Sequence, residues 1–251
     1  MALTSNAQWP EDLATSILLR LPVKSIIRFK CVSTTWRCFF DNPSFVSRHL
    51  RISKKKQRIM VEYTDEHEHD DKRVFRMFHD TTLATFDDWL PQFQAFGVGQ
   101  FCLHDGLVCV CNAINFRIGL WNPATREIRF LPEYYTDLKR RRYSVNIGFG
   151  SDPILNEYKV IHLLENLKAY KTPLLPPFRC AVYKMSTDSW RELKREELDL
   201  LEEKMYINSR NVCINGVCYW IVSYYDSCKV GKYLFDVLAF DIRREVLELI
   251  E

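Results

Sequence analysis

Apolar residues in the first fifty positions recur at helical spacing, and breaks fall between short runs. Leu13, Ile17, Leu18 and Leu21 form one helical stripe. Pro10 suits a first helical turn, and Glu11 and Asp12 suit the positive end of the helix dipole. Pro22 ends that helix. A second short helix carries Val23, Ile26, Ile27 and Phe29. Ser33 is the expected N-cap of a third, which bears Trp36, Phe39 and Phe40. Asn42-Pro43 breaks the chain again before a fourth short helix with Phe45, Val46 and Leu50. So small a bundle cannot bury all of this apolar surface alone, and the surplus implies a partner.

After residue 53 the period changes from helical to alternating, and turn residues arrive every ten or so positions. Strands are expected at 100–103, 107–111, 118–121, 128–130, 145–149, 158–164, 180–185, 212–214, 217–222, 237–240 and 246–250. The segment from Leu120 through Asn122-Pro123-Ala124-Thr125-Arg126 to Arg129 reads as strand, polar turn and return strand. The same shape recurs over 182–191 and 239–248, at offsets of 62 and 57 residues. A second echo pairs Asp105-Gly106-Leu107-Val108 with Asn215-Gly216-Val217-Cys218. Asp-Gly and Asn-Gly between apolar strands are strong hairpin signals. Hairpins recurring near the period of a four-stranded blade point to a β-propeller, with Trp121, Trp190, Trp220 and Phe240 as core.

Composition narrows the classes. There is no basic-then-apolar leader and no run near the ~18 apolar residues of a membrane span, which predicts a cytoplasmic or nuclear protein with no membrane contact. Nine cysteines without paired spacing argue for reduced core thiols rather than a disulfide framework. Residues 1–52 hold seven Lys or Arg against three Asp or Glu, a basic balance that would steer toward an acidic partner. The basic runs at 54–56 and 139–142 are short and lack interleaved aromatics, so no nucleic-acid partner is expected.

Chemistry-bearing motifs are sparse. His67-Glu68-His69-Asp70-Asp71 lies in an acidic run and reads as a solvated loop, so no metal or other cofactor is expected. Gly97-Val98-Gly99 and Gly148-Phe149-Gly150 lack a phosphate cradle's later glycine and helix, and read as turns. Cys109 and Cys111 share one side of a strand with no second pair at zinc spacing. His104 beside Asp105 falls short of a triad, because no Gly-x-Ser-x-Gly elbow exists. Residues 193–204 read as a surface helix or loop. No catalytic residue is assigned.

The early segment resembles the F-box. Pro10, Leu13, Ile17, Leu18, Leu21, Pro22, Val32 and Trp36 match that family's pattern, and Val23-Lys24-Ser25 and 28–33 look like its plant form. Trp9 and Ile26 stand where leucines are usual. Later segments resemble the F-box-associated interaction domain of plant F-box proteins. They are Asp105-Gly106-Leu107-Val108-Cys109, Leu120 through Glu127, Gly148 through Pro153 with Glu157-Tyr158-Lys159-Val160, Thr187 through Arg191, Asn215 through Trp220, and Phe240-Asp241. The chain is similar to the S-locus F-box proteins of flowering plants, through framework motifs that the wider family shares.

The resemblance implies an α+β multidomain chain. A small all-α F-box over 5–52 would precede an all-β, propeller-like F-box-associated domain over 53–251. The chain stops at Glu251 directly after an apolar strand, which leaves a truncated product, a fragment and a divergent short form open. The implied function is a non-catalytic substrate-recognition subunit of a Skp–cullin–F-box ubiquitin ligase. Pro10, Leu13, Ile17, Leu18, Leu21, Pro22, Ile26, Val32 and Trp36 would dock a Skp-type adaptor and, through it, a cullin. Loops 62–71, 133–142, 165–177 and 224–232 would hold a protein substrate, a pistil ribonuclease under the pollen self-incompatibility reading. The rival is a non-ligase or decoy module from a truncated F-box gene. A propeller hydrolase or oxidase would need converging His and carboxylate groups, yet most histidines fall in the early loops.

Overall fold

The computed structural model describes residues 11–53, 58–65, 72–79, 85–87, 98–112, 114–134, 143–167, 176–201, 205–226 and 232–250. They fall into two compact units. One lies within residues 1–90 and includes the turn 124–126; the other takes the remaining residues up to 251.

Four helices open the first unit: α1 (Glu11–Leu18), α2 (Val23–Lys30), α3 (Thr34–Asp41) and α4 (Pro43–Ser53). Each break has a local cause. Pro22, at φ −59° and ψ 145°, separates α1 from α2. Ser33 is extended, and its hydroxyl accepts the Trp36 amide N–H at 3.2 Å, capping α3. Pro43 opens α4, where its missing N–H costs nothing. Leu19, Ile26, Phe40 and Phe45 form the buried core of the helices.

An antiparallel sheet follows, of strands β1 (Arg58–Asp65), β2 (Lys72–His79) and β3 (Thr85–Asp87). No strand is expected over these residues, although Ile59, Val61 and Tyr63 do alternate with Met60, Glu62 and Thr64 along β1; in β2 the charge at Arg76 falls between apolar neighbours.

The second unit holds three four-stranded antiparallel meanders. The first is β4 (Val98–His104), β5 (Leu107–Asn112), β6 (Ile118–Asn122) and β7 (Glu127–Phe130). The second is β8 (Tyr143–Ser151), β9 (Tyr158–Asn166), β10 (Phe178–Lys184) and β11 (Ser189–Glu192). The third is β12 (Met205–Ile214), β13 (Val217–Asp226), β14 (Lys232–Asp241) and β15 (Val246–Ile250). The first strands β4, β8 and β12 lie against one another, as the inner strands of blades do.

The sequence echoes are turn geometry. Asp105 and Gly106 have φ of 50° and 79°, and Asn215 and Gly216 have 52° and 79°, so both hairpins turn through two left-handed residues. Between the third and fourth strands of the three sheets, Arg126, Asp188 and Glu245 occupy the same left-handed position at φ 65°, 49° and 55°.

The second sheet is buried on both faces. From it, Ile147, Phe149, Val160, Leu164 and Tyr183 pack with Cys109, Cys111 and Leu120 of the first sheet. Its Ile161, Leu163, Cys180 and Val182 pack with Cys218, Trp220, Val222, Leu238 and Phe240 of the third. That is why β9 is buried along nearly its whole length, with apolar residues on both sides of His162 rather than an alternation. Trp121, Trp220 and Phe240 are core, as expected; Trp190 is half-buried, and its ring N–H donates to Pro132 O at 2.8 Å.

Two expectations are corrected. Gly148-Phe149-Gly150 is no turn but the later part of β8, which continues the strand expected over 145–149. A Cβ at Gly148 would come within 2.8 Å of the Trp220 ring, and one at Gly150 would overlap Cys213 Sγ and Ile242 Cδ1. The glycines pave a face on which the third sheet rests. Val98 and Gly99 likewise lie within β4. The described part of 193–204 does lie at the surface, with Lys194, Arg195, Glu196 and Asp199 exposed, but three of its leucines are buried. It forms a short 3-10 helix, Arg195–Leu198, whose neighbourhood sinks Leu193, Leu198 and Leu201 into the core between the second and third sheets.

Candidate functional site

The helices expose much of their apolar surface. Leu13 and Ile17, one turn apart on α1, are 48% and 46% exposed. Val32, in the link from α2 to α3, is 68% exposed. Trp36 on α3 keeps about a third of its surface open while its ring stacks on Phe29 and Phe40, at centroid distances of 5.8 and 5.4 Å. Edge-to-face contacts from Phe39 to Trp36 and Phe40 brace that stack.

The nine residues expected to dock a partner therefore separate. Leu13, Ile17, Pro22, Val32 and Trp36 are exposed. Leu18 and Leu21 are half-buried and lean on the helical core. Ile26 is corrected from surface to core: at 7% exposure it packs with Leu19, Phe40 and Phe45, because its position on α2 faces inward. Pro10 lies outside the described residues. Phe29, exposed and stacked on Trp36, was not assigned to the face by sequence. Its spacing from Trp36 carries no signal, because the chain breaks between α2 and α3 and the stack forms across that break.

The polar surround is basic. Arg20, Lys24, Arg28 and Arg37 are exposed on or beside the first three helices, and Lys30 pairs with Asp41 at 2.5 Å. His49 of α4 meets the Leu21 carbonyl through Nε2 at 2.9 Å, tying the end of the α1 turn to α4. An apolar strip rimmed by cations suits a protein partner with an apolar groove and acidic edges.

The loops expected to hold a substrate lie mostly outside the described residues, as does His67-Glu68-His69-Asp70-Asp71. Of those loops, 62–65 belong to β1, 165–166 to β9, 224–226 to β13 and 232 to β14. Among the described residues, no group of three or more His, Cys, Asp or Glu is placed to hold a metal.

His104 does meet both a hydroxyl and a carboxylate. Its Nε2 lies 2.8 Å from Ser151 Oγ and 3.8 Å from Asp105 Oδ2. Both approach the same ring nitrogen, whereas a catalytic relay needs the acid on the opposite one. The trio is a link between β4 and the end of β8.

The strongest electrostatic feature joins the second and third sheets. Glu245 is nine-tenths buried and receives Lys159 at 2.8 Å, Lys184 at 2.9 Å and Arg191 at 2.8 Å. Lys159 also donates to Ile242 O at 2.8 Å. Burial alone would raise the Glu245 carboxyl, but the hydrogen bonds from the three cations outweigh it and hold it down to about 2. This is a structural clamp, since every charge is spent on another element of the fold.

The comparisons with known proteins agree with this architecture. A family model described as the F-box associated beta propeller domain matches residues 69–250. The chain belongs to this family. A second model, the F-box domain, matches residues 7–48, so α1 to α3 are F-box helices and the stacked meanders are F-box-associated blades. The F-box/kelch-repeat protein At2g43270 of Arabidopsis thaliana is 27% identical over 84% of this chain and 96% of its own length. The F-box protein At2g15640 of the same plant is 28% identical over 96% of this chain and 59% of its own. The chain spans about three-fifths of the length of most of the curated relatives first matched. Among the described residues, no helix is long and apolar enough to cross a membrane.

Proposed function

We propose that this chain is a substrate-recognition subunit of a Skp–cullin–F-box ubiquitin ligase, working in the cytoplasm, the nucleus or both. Its F-box helices dock a Skp-type adaptor, and through it a cullin, with Leu13, Ile17, Pro22, Val32 and Trp36 as direct contacts. Leu18 and Leu21 support that face from beneath. The blades hold a protein substrate, and the chain contributes no catalytic group. Its effect is proximity: substrate lysines are held at high effective concentration beside the charged ubiquitin carrier.

The observation that carries this reading is the half-exposed apolar strip on helices that match the F-box model. What supports the finer reading, a pistil ribonuclease as substrate in pollen, is motif resemblance alone. Pollen-confined expression and genetic linkage to such a ribonuclease would test it.

Adaptor capture by the purified chain tests the docking face. Leu13→Asp with Ile17→Asp puts carboxylates into the contact without touching the helical core. With about 2 kcal/mol or more at each apolar anchor, capture should weaken at least about a hundredfold. Unchanged capture would move the adaptor contact elsewhere. Leu18 and Leu21 are poorer probes, because carboxylates there would also loosen the helices.

A further inference from the structure

The hairpin of β12 and β13 sets two cysteines opposite one another. Ile214 and Val217 flank the two-residue Asn215-Gly216 turn and form its hydrogen-bonded pair, so Cys213 and Cys218 are the next, non-hydrogen-bonded pair. Such pairs bring Cα atoms to about 4.5 Å, inside the ~4.4–6.8 Å that a disulfide bridges. Both side chains leave the sheet on the face that rests on β8. Cys213 Sγ lies over Gly150, and Cys218 Sγ is 3.2 Å from where a Cβ of Gly148 would be. The absence of side chains at those two glycines is what gives the sulfurs room.

The two thiols are not equivalent. Cys213 is partly exposed, whereas Cys218 is fully buried. A hydrogen bond from Cys218 stabilises the Cys213 thiolate most; burial opposes it, and His104 adds a further favourable contribution, so Cys213 is made more acidic. The same bond and burial push Cys218 the other way. The thiols of Cys102, Cys111 and Cys180 are raised by burial. A reachable, acidified thiol beside a sheltered one is the arrangement of an attacking and a resolving cysteine.

We propose that Cys213 and Cys218 are a peroxide-reactive dithiol pair that closes to a reversible cross-strand disulfide. The Cys213 thiolate attacks one oxygen of hydrogen peroxide; the O–O bond breaks, the other oxygen leaves as water after taking a proton, and the sulfur becomes a sulfenic acid. The Cys218 sulfur then attacks Cys213 Sγ, the S–O bond breaks, and the hydroxyl leaves as a second water with the Cys218 proton. Two thiols and one peroxide give one disulfide and two waters.

The test uses the full chain in native buffer with a small molar excess of hydrogen peroxide. Iodoacetamide quenching and trypsin then release peptide 211–229, which carries Cys213, Cys218 and Cys228. The expected peptide is two hydrogens lighter and alkylated once, at Cys228, and dithiothreitol restores triple alkylation. Cys218→Ser should trap the sulfenic acid at Cys213 as a dimedone adduct, while Cys213→Ser should leave Cys218 unmodified. The exposed Cys31 and Cys38 are the internal comparators. Triple alkylation after peroxide, a bridge from Cys213 to Cys102, or dimedone on Cys218 in Cys213→Ser would each overturn the proposal.

Discussion

In the helices, Leu13, Ile17, Val32 and Trp36 stand exposed over a core of four buried residues; in β8 and β9, Ile147, Phe149, Ile161, Leu163 and Leu164 are completely buried. Both regions are rich in apolar side chains, so composition does not separate them. Opportunity does. A sheet stacked between two others can bury both faces. Four helices of eight to eleven residues have too little interior, and their surplus remains at the surface. The third sheet shows the same logic within one element. Its inner face, with Trp220 and Phe240, is sealed, whereas Ile221, Tyr233 and Phe235 on the other face are exposed.

The largest effect should come from the clamp between sheets. Glu245→Ala leaves Lys159 buried without its carboxylate, and removal of one partner of a buried pair costs about 3–5 kcal/mol. Urea unfolding followed by tryptophan fluorescence should show that loss. The wild-type clamp should also be acid-sensitive in a defined window. Its carboxyl is depressed from near 4.5 to about 2, so its stabilisation is complete above about 4.5 and disappears as pH falls toward 2. Flat stability across that window would remove Glu245 from the account.

Next in size is Gly150→Ala. The new methyl would overlap Cys213 and Ile242, and overpacking of this kind costs about 1–3 kcal/mol. Thermal melting should fall correspondingly, while adaptor capture stays intact. The smallest effect sharpens the contrast from the other side. Leu13→Ser with Ile17→Ser should change unfolding free energy by no more than about 0.5 kcal/mol each, since both side chains are already half in water. A loss of several kcal/mol would mean that the strip is core, and the docking proposal would fall with it.

Much of this was legible in the chain because it is local. Proline and serine breaks marked four helices, and Asp105-Gly106 and Asn215-Gly216 marked two hairpins. What stayed hidden depends on partners distant in sequence. Gly148 and Gly150 read as a turn because nothing nearby reveals that Trp220 and Cys213 rest on them. Ile26 looked like surface because its stripe matched the motif, yet Phe40 and Phe45 enclose it. Leu193, Leu198 and Leu201 sit among acidic residues that suggest exposure, and only the gap between two sheets shows why they sink. Lys159 and Glu245, 86 residues apart, carry no mutual signal at all.

The turns at Arg126, Asp188 and Glu245 share one demand of the backbone and leave the side chain unspecified. A four-residue link between antiparallel strands closes on a left-handed residue whatever that residue carries. The bend fixes where the side chain starts, so chemistry can be placed there without disturbing the hairpin. In the third sheet that freedom holds a carboxylate, on which Lys159, Lys184 and Arg191 converge.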